Sequence, residues 1–64
     1  MRTFKICLCK DENYSVVDEI IECCFNMNKD AIHYAVDKFL ESSKKYKCAF
    51  LIDNKGKNLI RIEQ

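Results

Sequence analysis

His33 is the single histidine of the chain, and Asp37 follows it one helical turn later. A carboxylate at that spacing can orient an imidazole, as a general base requires. The local sequence places no serine, threonine or cysteine beside His33 for such a base to activate. We therefore expect a surface histidine, no catalytic residue, and a protein that is not an enzyme.

Two pairs of adjacent acids, Asp11-Glu12 and Asp18-Glu19, are the next candidates for proton-transfer chemistry. On a β-strand, neighbouring side chains point to opposite faces. Neither pair is therefore predicted to form a paired-carboxylate site by itself.

The five cysteines occur as Cys7 and Cys9, as the vicinal pair Cys23 and Cys24, and as Cys48. The Cys-x-x-Cys spacing of zinc and thioredoxin-like sites is missing. An odd number of cysteines without a signal-like apolar segment predicts a reducing, cytoplasmic location. We expect buried or half-buried thiols that act as small apolar side chains, with no metal and no cofactor. A single glycine also excludes the glycine-rich loops that bind phosphates.

Charge is unevenly distributed, although the net charge is only +1. Residues 11–22 contain five acids and no lysine or arginine, whereas residues 44–61 contain six bases and one acid. A net charge this small is not typical of a dedicated nucleic-acid-binding protein. Weak, salt-dependent binding through the basic segment remains the alternative function, with Tyr46 as a stacking platform. Its candidate residues are Lys44, Lys45, Tyr46, Lys47, Lys55, Lys57 and Arg61.

Three segments have a clear secondary-structure pattern. Residues 3–9 alternate polar and apolar side chains and predict a strand. Apolar residues at three- and four-residue spacing predict an amphipathic helix over about residues 28–43, which Asn26 or Asn28 can cap. Residues 46–53 and 57–63 predict a hairpin, with Gly56 in the left-handed position of its loop.

Residues 15–25 are ambiguous between helix and strand. Their apolar residues fit a helical period, but they are rich in β-branched and aromatic side chains and follow a polar turn. We favour a strand, which gives a single α+β domain over residues 1–64 in the order ββαββ. The alternative order is βααββ. No segment has the length of a membrane span.

One face of the predicted sheet is apolar without being covered by the helix. The helix is expected to cover the face of Phe4, Ile6, Leu8, Phe50, Ile52, Ile60 and Ile62. The opposite face would then carry Cys7, Cys9, Ala49, Leu51 and Leu59, together with Val16, Ile20 and Cys24 of the second strand. An apolar face that meets water usually marks an interface. The alternatives are a reversed assignment of the faces or a second layer formed by a helix over residues 15–25.

The helix segment 26–40, preceded by a strand pair and followed by a hairpin ending in Ile60-Arg-Ile-Glu63, resembles a group of known proteins. These are small single-domain proteins of phages and mobile elements, including some anti-CRISPR inhibitors with a ββαββ layout. The resemblance implies a non-enzymatic protein that occupies the surface of a larger host protein or complex, in the host cytoplasm. A domain this small also gains stability from a partner, so a protein partner or a homodimer is predicted.

Overall fold

The computed structural model describes residues 1–10, 17–42 and 44–63 of the chain. In these residues the elements follow the order ββαββ, so the predicted α+β fold is confirmed. They are β1 (Arg2–Cys9), β2 (Val17–Phe25), α1 (Asn28–Glu41), β3 (Cys48–Ile52) and β4 (Asn58–Glu63). The described part of residues 15–25 is a strand, and the βααββ alternative is wrong.

The strands form an antiparallel sheet in the order β2-β1-β3-β4. The two central strands, β1 and β3, come from opposite halves of the chain. The edge strands are β2, at nine residues, and β4, at six.

The core lies between α1 and one face of the sheet. Alternate residues of β1 contribute Phe4, Ile6 and Leu8, all fully buried. Residues four apart on α1, namely Ala31, Ala35 and Phe39, face them. Each large side chain removed from water here stabilises the fold by roughly 1.5–3 kcal/mol.

The orientation of β3 differs from the sequence-based prediction. Ala49 and Leu51 are both 0% exposed and belong to the core under the helix, whereas Phe50 and Ile52 are half-buried. Register explains this orientation, because Leu51 lies opposite Ile6 of β1, and cross-strand partners share a face. Every residue of β3 is apolar, so a period-2 pattern could not distinguish its two faces.

Both edge strands contain a β-bulge. Between β1 and β2, Leu8 pairs with Glu19 and Cys9 pairs with Val17, which leaves Asp18 as the extra residue. Between β3 and β4, Leu51 pairs with Ile60 and Ile52 pairs with Asn58, which leaves Leu59 as the extra residue. Bulges of this kind bend the strand and re-aim a side chain.

The β3–β4 turn follows the prediction for this hairpin. Gly56 has a φ of +83°, a conformation that favours glycine because it has no Cβ. The Asp53 carboxylate accepts hydrogen bonds from the backbone N–H groups of Lys55 and Lys57, at 2.9 and 2.8 Å. These bonds hold the pKa of Asp53 below its ordinary value.

The ends of α1 differ in part from the prediction. The N-cap is Met27, whose side chain makes no capping hydrogen bond, so the predicted capping by Asn26 or Asn28 is wrong. The helix ends at Glu41, where the backbone N–H of Ser42 donates to the carbonyls of Lys38 and Phe39. Across the described ranges, no helix has both the length and the apolar character needed to cross a membrane.

Candidate functional site

The five residues of β1, β3 and β4 predicted to form an apolar open face do not form one. Ala49 and Leu51 lie in the core, and Leu59 is half-buried and packs against that core. Their predicted placement is wrong because β3 has the opposite orientation and the bulge turns Leu59 toward the helix side. Cys7 and Cys9 do alternate with the core residues of β1, but they are only 4% and 0% exposed.

Exposed apolar side chains lie instead on β2. Ile20 is 55% exposed and Val17 is 38% exposed. Their register partners are Cys7 and Cys9, so both lie on the sheet face opposite α1. The sequence had indicated Ile20 for that face, but the bulge at Asp18 places Val17 there as well.

The candidate nucleic-acid residues are split between the two ends of β3. Lys44, Lys45 and Lys47 precede the strand and are exposed, whereas Lys55 and Lys57 lie in the turn that follows it. A five-residue strand spans roughly 17 Å, so the two lysine groups do not form one compact patch.

The remaining two residues of that set are engaged in other contacts. Arg61 forms an ion pair with Glu63, at 2.6 Å. Tyr46 is 1% exposed and belongs to the core, so the prediction that its ring offers a stacking platform is wrong.

Tyr46 instead joins the predicted acid pair of β2. Its hydroxyl lies 3.0 Å from Oδ2 of Asp18 and 2.9 Å from Oε1 of Glu19. Regular strand geometry would place these two side chains on opposite faces. Because Asp18 is the bulge residue, both carboxylates reach the same hydroxyl. The predicted placement of these two side chains on opposite faces is therefore wrong, although they meet at Tyr46 and do not form a site by themselves. The other pair, Asp11-Glu12, lies outside the described residues.

Two lysines complete the surroundings of the cluster formed by Tyr46, Asp18 and Glu19. The Nζ atom of Lys10 lies 3.6 Å from Oδ1 of Asp18, and that of Lys45 lies 5.3 Å from the centre of the Tyr46 ring. Burial, followed by hydrogen bonding to the two carboxylates, raises the pKa of Tyr46 above its ordinary value of 10.0.

The chemistry of this cluster is that of a hydrogen-bond donor held in place. A hydroxyl whose proton is bound more tightly than usual donates to carboxylates and does not act as a base at neutral pH. The contact joins β2 to the segment before β3. Its partners are 27 and 28 residues apart in sequence, a separation at which no local pattern could have indicated it.

His33 and Asp37 are exposed on α1, and the side chain of His33 makes no hydrogen bond or ion pair with any residue in the described ranges. The described residues also contain no group of three or more metal-ligating side chains. All five cysteines lie in these ranges and are thiols. Burial raises the pKa of Cys7 and of Cys23, which favours the unreactive protonated form.

An open cleft of about 330 Å³ lies beside the β3–β4 turn, on the face opposite α1. Its lining residues are Thr3, Lys5, Ile52, Asp53, Asn54 and Gly56. One oxygen of the Asp53 carboxylate already accepts two backbone hydrogen bonds from the turn. This carboxylate oxygen of the cleft therefore stabilises the hairpin turn.

The outer edge of β2 is the remaining feature with the properties of a binding surface. Its nine residues include three acids, Asp18, Glu19 and Glu22, and no lysine, arginine or proline. Among the described residues no strand pairs with this edge.

Comparisons with known proteins gave no matching family model, no matching curated protein and no matching solved structure.

Proposed function

We propose that the chain is a non-enzymatic protein-binding module that binds an extended, positively charged segment of a partner protein along the outer edge of β2. The observation that carries this proposal is the long acidic edge strand with exposed Val17 and Ile20 beside it. An edge strand offers backbone N–H and C=O groups to which a further strand can add. Side chains on the added strand then determine which partner binds.

Charge selects the partner. Proteins often protect an edge strand with lysine or proline, and β2 contains neither. Two copies of β2 side by side would bring like charges together, which disfavours a two-fold dimer through this edge. A strand carrying lysine or arginine would instead meet opposite charge, which favours encounter and sets orientation.

Apolar side chains supply the second part of the surface. Ile20 and Val17 lie on the face opposite α1, next to the β1 positions of Cys7 and Cys9. A partner strand with alternating basic and apolar residues would place its apolar side chains beside these two. Burial of apolar area contributes to binding free energy, at about 25 cal/mol per Å² before the cost of association.

The partner itself is proposed from the resemblance to small phage and mobile-element proteins. Such a protein would inhibit or modulate a host protein complex, for example a defence system, by occupying one of its surfaces. The split of the basic residues between the two ends of β3 and the burial of Tyr46 favour protein over nucleic acid as the partner.

The proposal is tested with a nine-residue peptide of alternating lysine and valine, and with the same peptide carrying glutamate for lysine. We expect the lysine peptide to bind and to shift the backbone amide signals of β2, and the glutamate peptide not to bind. Ile20→Lys should weaken binding at least about 10-fold, because it removes apolar area and adds repulsion. Leu40→Lys is the matched control, since Leu40 is an exposed apolar residue on α1 at 63% exposure.

Several outcomes would contradict the proposal. Equal binding of the two peptides would remove the role of charge, and shifts confined to β4 would place the site at the other edge. A single-stranded oligonucleotide that binds more tightly than the lysine peptide at physiological salt would favour the nucleic-acid alternative. Light scattering of the pure protein, combined with a pull-down from the source cell, then distinguishes self-association from a foreign partner.

A further inference from the structure

Two buried cysteines face each other across the centre of the sheet. Cys9 is the last residue of β1, Cys48 is the first residue of β3, and the two are register partners. Directly opposed residues of an antiparallel pair have Cβ atoms about 4.5–5.5 Å apart and side chains on the same face. A disulfide needs about 3.5–4.5 Å between Cβ atoms, so a small local movement would join them.

The other cysteines are less well placed for pairing. Cys7 shares the face but lies opposite Phe50, which leaves it diagonal to Cys48 at about 7–8 Å. Cys23 packs against the core, with its Sγ atom 3.8 Å from the carbonyl oxygen of Phe4. Its neighbour Cys24 is exposed on the opposite face of β2, so this vicinal pair points apart.

We infer that Cys9 and Cys48 form an intramolecular disulfide when the folded protein is exposed to hydrogen peroxide. One thiolate attacks peroxide and breaks the O–O bond, which gives a sulfenic acid and hydroxide. The second thiolate then displaces hydroxide from the sulfenic sulfur, and the S–S bond forms. Two thiols and one peroxide become one disulfide and two waters, with sulfur oxidised and peroxide oxygen reduced.

Position within the strands gives the oxidant access. Cys9 and Cys48 are 0% and 1% exposed, so a large oxidant would not reach them in the closed fold. Both lie at strand ends, where local opening costs less free energy than at strand centres. A molecule as small as peroxide can enter during such an opening.

The disulfide would tie the two central strands together. It would close the chain segment that contains β2 and α1, and so restrict the unfolded chain. Stability would then respond to oxidant, independently of whether the β2 edge binds a partner.

The test treats the native protein with hydrogen peroxide, measures its intact mass, and then blocks the remaining thiols and maps the linkage. We expect a monomer lighter by about 2 Da, the mass of two hydrogens. Trypsin leaves Cys7 and Cys9 in one peptide, residues 6–10, so linkage to the Cys48 peptide, residues 48–55, is mapped in the Cys7→Ser variant. Cys24→Ser should retain the mass loss and Cys9→Ser should abolish it.

A stability measurement supports the assignment without relying on the folding of Cys9→Ser. The oxidised wild type should unfold at a higher urea midpoint than the reduced protein, and a thiol reductant should restore the original midpoint. The inference is overturned if the mass loss persists in Cys9→Ser or if the linked peptides join other cysteines. Oxidation confined to Cys24, as a covalent dimer, would overturn it equally.

Discussion

Each edge strand of the sheet contains one extra residue that has no pairing partner on the neighbouring strand. The extra residues of the two strands have opposite effects on their surroundings. In β2 the extra residue is Asp18, and its carboxylate reaches the hydroxyl of Tyr46. In β4 it is Leu59, and its side chain packs against the apolar core. The same backbone irregularity therefore builds a polar contact at one edge and extends the core at the other. Residue type, and what lies beside the bulge, decides the outcome.

The largest expected effect is a loss of stability that tests which residues of β3 face the core. The bulge in β4 is defined by pairing with β3, so it depends on that orientation. Leu51→Lys places a charge in the core and should cost more than about 4 kcal/mol, enough to unfold a small domain. Ile52→Lys, at the neighbouring half-buried position on the other face, should cost about 1 kcal/mol because the ammonium can reach water. Circular dichroism and urea unfolding measure both. The opposite ranking would show that the faces of β3 are reversed.

The second prediction compares the two bulge residues directly. Leu59→Ala should lower the free energy of unfolding by about 1–2 kcal/mol, because a half-buried apolar side chain is truncated. Asp18→Ala should cost less than about 1 kcal/mol, because Glu19 remains as an acceptor for Tyr46. Urea titrations of the two variants check the difference. Equal losses would show that the two bulge residues contribute alike to stability.

The smallest expected effect concerns the hydroxyl at the β2 bulge. Tyr46→Phe leaves the ring in place and should lower Tm by roughly 3–5 °C at neutral pH, because Asp18 and Glu19 lose their shared donor.

The same variant makes the alkaline behaviour of Tyr46 measurable. The folded state raises the pKa of Tyr46 above 10.0, so the stabilisation is complete below pH 10 and is lost as pH rises through the folded value. The Tm difference between wild type and Tyr46→Phe should therefore shrink as the pH rises from about 10 to about 12. A difference that stays constant over this range would show that the hydroxyl is not held by the carboxylates.

Sequence patterns predicted the elements whose period is unambiguous. Strand β1 alternates polar and apolar residues, α1 repeats apolar residues at three- and four-residue spacing, and Gly56 marks the hairpin turn. Each of these elements was therefore predicted close to its position in the structure. The orientation of β3 was not predictable in the same way. All five of its residues are apolar, and only pairing with β1 determines that Leu51 rather than Ile52 is buried.

The contacts of the candidate site were harder to predict from the sequence than the secondary structure. A bulge shifts side chains by one position without any change in composition, so neither Asp18 nor Leu59 could be recognised as an extra residue. The partners of Tyr46 lie on a strand far away in the chain. The acidic stretch over residues 11–22 is visible in the sequence itself. Residues 11–16 of this stretch lie outside the described ranges. Its other acids, Asp18, Glu19 and Glu22, lie within them.

The position of β1 between β2 and β3 has a consequence for the folding kinetics. The β1–β2 hairpin can pair early, but the other edge of β1 is satisfied only when residues 48–52 arrive. Until then Phe4, Ile6 and Leu8 are exposed beside an unpaired strand edge, the type of surface from which aggregation begins. Pairing across so long a stretch of chain is slow compared with helix formation. Folding on the ribosome would therefore complete the sheet only after β3 has emerged from the exit tunnel.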